Sequence, residues 1–326
     1  MIWLTWRQFR GQAVAALAAL AALAIFLVAL GLRIRNSYEA NVACASCSAD
    51  SARDSMENAY FGILLLSGLL VVLLPAIVGA FWGAPLIARE IETGTHRLVW
   101  NQSVTRTRWL AVKLGFVTLA GTVVTGALSL LLTWAASPYD KVFDGRFEPL
   151  IFPARNVAPI GYAVFAVVAG TTIGLIARRT VLAMAITLAA FVLLQILMPT
   201  VIRPHLQPAV TETVAFTASG ARGLSISPAG EVRTEITKPG AWVLTPEADV
   251  LDAAGRPIAR EVADECQGGG PGEALACLEA KDLTVNVSYQ PADRYWTFQW
   301  LEFAVYLLLA GLLAAFAFWR VPRGLS

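Results

Sequence analysis

Six apolar runs, each about 20 residues long, limit what this chain can become. A helix rises 1.5 Å per residue, so about 20 residues cross the roughly 30 Å hydrocarbon core of a bilayer. The runs occupy 13–32, 61–82, 114–136, 157–177, 181–202 and 296–319. Backbone amides in lipid have no water to bond, so segments of this kind are expected as helices. Charge is scarce: 57% of the residues are hydrophobic and 15% charged, where a soluble domain averages about 25% charged. The expected fold is therefore an all-α membrane protein with six transmembrane helices.

The polar segments set the orientation. Lys and Arg resist translocation, so basic connections stay in the cytoplasm. With both termini inside, the inner segments hold Arg7, Arg10, Arg89, Arg97, Arg106, Arg108, Lys113, Arg178, Arg179, Arg320 and Arg323 against Glu90 and Glu92, a net of +9. The outer segments then hold 14 basic and 20 acidic residues, a net of −6. The two-arginine turn between spans four and five points the same way by itself. N and C termini are thus expected to be cytoplasmic, with 320–326 as a short inner tail. Residues 1–12 read as an interfacial amphipathic helix, because Ile2, Trp3, Trp6 and Phe9 fall near one face. The apolar run that follows is too long for a signal peptide.

The connection 83–113 has internal structure. Ile87 and Ile91 are one helical turn apart, Gly94 can end that helix, and Trp100 and Trp109 are large apolar groups outside any span. Two readings fit: a docking surface for a cytoplasmic partner, or a solvated basic loop that only sets orientation.

The run Glu90-Ile91-Glu92-Thr93-Gly94-Thr95, followed by Ser103, Arg106, Trp109 and Lys113, resembles the first cytoplasmic loop of ABC-2 type transporter permeases. The likeness is nearest to a group found in actinobacteria, and the run from Tyr289 to Glu302 shares it. The resemblance implies a coupling helix seated in a groove of a separate ATP-binding subunit, with docking by Leu86, Ile87, Arg89, Glu90, Ile91, Glu92, Gly94, Thr95 and Arg97. Arg106, Trp109 and Lys113 would anchor the start of span three. It further implies a transmembrane subunit of an ATP-driven exporter, paired with a second copy and moving an amphipathic lipid, drug or natural product by alternating access. ATP and Mg would sit on the partner, not on this chain, and no nucleic-acid partner is expected. The chain has no GxxxxGK[ST] run to bind ATP itself. A membrane receptor or immunity protein, binding a ligand through its outer domain, is the alternative. The spans offer no convincing nucleophile, base pair or metal set for an enzyme, and no HExxH or Cys/His cluster occurs.

Residues 203–295 form the one sizeable water-soluble segment, expected as a small extracytoplasmic α+β domain between helices five and six. Short β-prone runs lie at 231–237, 241–245 and 283–289, a helix at 273–280, and a turn at 253–256. All four cysteines fall outside, where disulfides persist. Of the three possible pairings, Cys44–Cys47 with Cys266–Cys277 closes the shortest loops.

Within the spans, Thr118, Thr122, Thr125, Ser129 and Thr133 form one hydroxyl stripe on span three. It suits either the wall of a substrate path or close helix packing. Gly170 and Gly174 let two backbones approach in span four. Pro75 and Gly79 are positioned to bend span two. Glu302 is the lone carboxylate inside a span. It reads either as a gate at the outer mouth of a path or as a structural partner of Arg33, Arg35 or Arg294.

Overall fold

The structure is a computed structural model describing residues 2–43, 49–94, 105–143, 145–218, 220–245, 247–266 and 271–324. Among these, six helical segments are long and apolar enough to cross a membrane: Leu17–Asn41, Arg53–Glu92, Arg106–Ala136, Ala158–Ala177, Thr180–His205 and Ala292–Val321. The chain divides into two compact units.

The helical unit comprises Met1–Phe143, Pro149–Met198 and Gln299–Ser326. Its helices are α1 (Ile2–Ala43), α2 (Ala49–Val78), α3 (Pro85–Glu92), α4 (Arg106–Ala136), α5 (Ala158–Ala177), α6 (Thr180–Leu197) and, from Gln299 on, α9 (Tyr295–Gly324). α5 is the central helix: its outward-facing neighbours are other helices, and most of its residues are buried. The other spans keep long apolar side chains exposed, Phe116 and Val181 among them, as helices facing lipid do.

Two features depart from the linear reading. The interfacial helix expected at 1–12 and the span expected at 13–32 are one continuous helix, and the described residues of the polar stretch 36–60 are helical. α1 runs on to Ala43, and α2 begins at Ala49. The extensions are polar in composition but keep a packed side. Ile34 and Met56 are buried in the same cluster as Leu27, Leu64 and Leu132, with Tyr38 and Tyr60 against it. Ser37 and Tyr60 share a 2.5 Å hydrogen bond across the hairpin. Secondly, Pro75 and Gly79, expected to bend span two, lie inside α2 and at the start of a π-helical turn respectively. The helix continues to Val78 and then widens into a π-helical turn, Gly79–Gly83, closed by Ala84 N donating to Gly79 O at 2.8 Å.

The second unit comprises Asp144–Glu148 and Pro199–Phe298. Its strands are β1 (Val210–Ala215), β2 (Ala221–Ile226), β3 (Val232–Ile236), β4 (Trp242–Val243), β5 (Ala248–Leu251) and β6 (Thr284–Gln290). They form an antiparallel sheet in the order β1-β6-β5-β3-β2, with β4 also pairing β6. α7 (Arg260–Asp264) and α8 (Pro271–Glu279) are tied by the expected Cys266–Cys277 disulfide. The other expected bridge, Cys44–Cys47, lies outside the described residues. Phe147 belongs with this unit because it stacks near Trp242 and meets Tyr295 and Phe298 edge-on.

On the sheet surface Lys238 donates to Glu212 at 2.6 Å, and the Tyr289 hydroxyl donates to the same oxygen at 2.9 Å. The Lys238 bond first, and then the Tyr289 bond, hold the Glu212 carboxyl below the ordinary value of 4.5. A lowered folded-state value means that the unfolded chain takes up the proton first as pH falls. Glu212 therefore stabilises the fold above about pH 4.5, and that contribution fades as pH drops through the lower folded value. Glu212→Gln should flatten this part of the acid limb, measured as melting temperature of the full-length protein between about pH 3 and 6. An unchanged pH profile would contradict it.

Candidate functional site

The start of the 83–113 region rests on glycine contacts. A Cβ on Gly79 or Gly174 would lie 2.5 Å from a backbone oxygen, of Ala166 and Ala84 respectively, and one on Gly83 would lie 2.8 Å from Val167 O. A Cβ on Gly170 would lie 2.9 Å from Ala84 N and closer still to Gly79 O. The π-helical turn and the start of α3 thus rest on the α5 backbone with no side chain between. The small-xxx-small spacing of Gly170 and Gly174 serves this crossing within the chain.

α3 starts with Pro85 at a position that needs no N–H. Its closing residue Gly94 has φ +73° and donates to Ile91 O at 3.2 Å, a left-handed stop that glycine adopts without strain. Ile87 and Ala88 are fully buried, and Ala88 packs with Ala84 and Ala183. Leu86 and Ile91 are half-buried, whereas Arg89 and Glu92 are exposed. So Ile87, expected on a docking surface, faces inward: the apolar edge of this short helix is used against α5 and α6. Thr95 and Arg97 lie outside the described residues.

Both acids of α3 have partners in the chain. Glu90 is ion-paired with Lys113 of α4, and the Lys113 ammonium also sits 4.8 Å from the Trp109 ring centre. Trp109 is 5% exposed. Glu92 accepts from Thr180 N at 3.0 Å and from Thr180 Oγ1 at 2.7 Å. Of the residues expected to anchor span three, Lys113 therefore meets Glu90, and Trp109 lies beside Lys113. Arg106 opens α4, where Thr105 Oγ1 caps by accepting from Arg108 N at 3.4 Å.

The hydroxyl stripe divides into two halves. Ser129 donates to Asn156 O at 2.9 Å, and Thr133 accepts from Asn156 N at 3.1 Å. These two fasten the turn before α5. The hydroxyls of Thr118, Thr122 and Thr125 have no hydrogen-bond partner among the described residues. Thr118 and Thr122 line an open groove of about 460 Å³ with Leu114, Gly115, Val168 and Phe318. Packing accounts for Ser129 and Thr133, whereas Thr118 and Thr122 border an apolar groove with their hydroxyl oxygens buried.

Glu302 is fully buried and accepts a hydrogen bond from the Tyr162 hydroxyl. The Tyr162 ring lies 4.5 Å from that of Tyr306, whose hydroxyl donates to Gln195 Oε1 at 3.2 Å. One turn earlier Gln299 accepts from Ala158 N at 3.0 Å and donates to Phe152 O at 3.2 Å, capping α5 from α9. Two of the expected arginine partners are engaged elsewhere: Arg35 lies 4.5 Å over Trp134, and Arg294 donates to Pro208 O at 2.8 Å. Sequence reasoning missed Tyr162 and Gln299. Tyr162 is the one phenol in its span, and a phenol is a natural donor for a buried carboxylate. It also missed Asp140 and Arg155, both buried, whose 2.6 Å bonds link the end of α4 to the start of α5.

No curated protein and no solved structure matches the chain. The family described as ABC-2 membrane transporter related matches it over residues 17–203. That stretch covers more than half of the chain and runs from α1 to the end of α6, including α3 and its contacts. This chain belongs to the ABC-2 membrane transporter related family and is a multi-pass cell-membrane transporter permease.

Proposed function

We propose that the chain is the transmembrane subunit of an ATP-driven exporter, and that a separate ABC ATP-binding subunit docks at α3. The observation that carries this reading is the seating of α3. A short helix that rests backbone-to-backbone on the central span will pass a push from outside directly into the bundle. In this reading 83–113 faces the cytoplasm, the sheet domain faces outward, and a second copy completes the path. ATP and Mg bind to the partner. The groove beside Thr118 and Thr122 suits the hydrocarbon body of an amphipathic cargo, because its wall of Leu114, Leu119, Val168 and Phe318 is apolar.

The exposed side of α3 supplies the contact, with Arg89 at its centre. Coexpression with the ATP-binding subunit and affinity purification through this chain tests it. Arg89→Glu should lower the recovered ATP-binding subunit by at least ~5-fold, since reversing an interface charge adds repulsion as well as removing attraction. Recovery equal to wild type would remove α3 as the docking element.

A further inference from the structure

We propose that Glu90 and Glu92 are internal struts that carry motion from α3 into two spanning helices, and that Glu92 is the positioning residue for α6. The inference rests on the docking reading above and assigns the two acids a different task from docking.

The geometry follows from helix periodicity. Residues two apart on a helix point to nearly opposite sides. Glu90 therefore reaches α4, where it pairs with Lys113. Glu92 reaches α6, where it takes both the amide and the hydroxyl of Thr180. The floor between them is the glycine contact with α5. α3 is thus joined on three sides to three different spans.

The Glu92 bond has a particular setting. A helix leaves its first N–H groups without intrahelical partners, and its N-terminus attracts negative charge. The N-cap residue of α6, Arg179, makes no side-chain cap bond. Glu92 supplies that cap from another helix. The turn feeding α6 is minimal: Arg178 is left-handed, with φ 55°, and Arg179 is extended. A pull on Thr180 therefore acts on the first residue of a spanning helix behind a two-residue hinge.

The test uses the full chain with its ATP-binding subunit in lipid nanodiscs, read by hydrogen exchange with and without ATP plus vanadate. In wild type, nucleotide trapping should change exchange in peptides covering both α3 and the first turn of α6. In Glu92→Ala the ATP-binding subunit should copurify at wild-type yield and the α3 change should persist. The α6 change should shrink at least ~5-fold, the size expected for losing a cap. Glu92→Gln, which keeps an acceptor, should restore part of it. Thr180→Pro is a second route that spares the helix. Proline suits the first helical position, and the extended Arg179 already has the backbone that a residue before proline prefers. It deletes the amide and the hydroxyl together and should reproduce the Glu92→Ala result. A nucleotide-dependent α6 change that survives in both variants overturns the proposal. So does loss of copurification in Glu92→Ala, because Glu92 would then be a docking contact. Failure of the wild-type chain to retain any ATP-binding subunit would instead overturn the docking reading.

Discussion

Valine in place of Gly170 should prevent the bundle from assembling, with the yield of monodisperse protein falling at least ~10-fold. The reason is the identity of the neighbours. Overpacking a core with a methylene group costs about 1–3 kcal/mol when side chains can shift. Here the atoms in the way are Gly79 O and Ala84 N, which belong to the π-helical turn and the start of α3. Backbone cannot rotate aside, so even Gly170→Ala should cost about 3 kcal/mol, the top of that range. Gly115 and Gly311 provide the control, because a Cβ there meets nothing within 4 Å. Alanine at either position should be neutral, or stabilising by about 0.5–1 kcal/mol through better helix propensity. Fluorescence-detected size exclusion and thermal melts in detergent read both effects. Equal melting temperatures for Gly170→Ala and Gly115→Ala would show that the crossing tolerates expansion.

The second large effect is expected at the Asp140–Arg155 pair. Arg155 is 4% exposed and bonds both oxygens of Asp140 through one nitrogen at 2.6 Å. Removing one partner of a buried pair leaves an uncompensated charge and costs about 3–5 kcal/mol. Asp140→Ala and Arg155→Ala should each lose about that much. The double replacement should recover most of it, because no charge is then stranded. The cycle of four melting curves separates the pair energy from lost packing. If each single variant lost less than about 1 kcal/mol, within the range of exposed pairs, the bridge would be a surface interaction.

The spans were readable because an unbroken apolar run about 20 residues long admits few structures other than a crossing helix. The soluble unit was readable only in part. β3, β4 and β6 carry alternating or branched apolar residues, and all three were expected. β1 was missed because VTETVA exposes polar residues through its middle and has no buried period. β2 was missed because Gly223 sits inside it, where the pairing with β3 shifts register between Ala221 and Leu224. β5 is four residues long. The helical extensions around 36–60 were hidden for a different reason. Ser37, Met56 and Tyr60 look like loop residues singly, and only the facing helix makes one side of them a core.

The candidate site shows the same division more sharply. The helix at 85–92, its glycine stop and its two acids are local properties, set by spacing, propensity and charge along a few consecutive residues. The spacing of Gly170 and Gly174 marks a close approach in the same way, without naming the approaching partner. Which groups Glu90, Glu92 and Glu302 meet depends on residues 23, 88 and 140 positions away in the chain. Hydrogen bonds and ion pairs act over a few ångströms, so their partners exist only once packing has brought distant segments together. Apolar burial is summed along a segment and can be read from it, whereas a directional bond belongs to the folded arrangement of two.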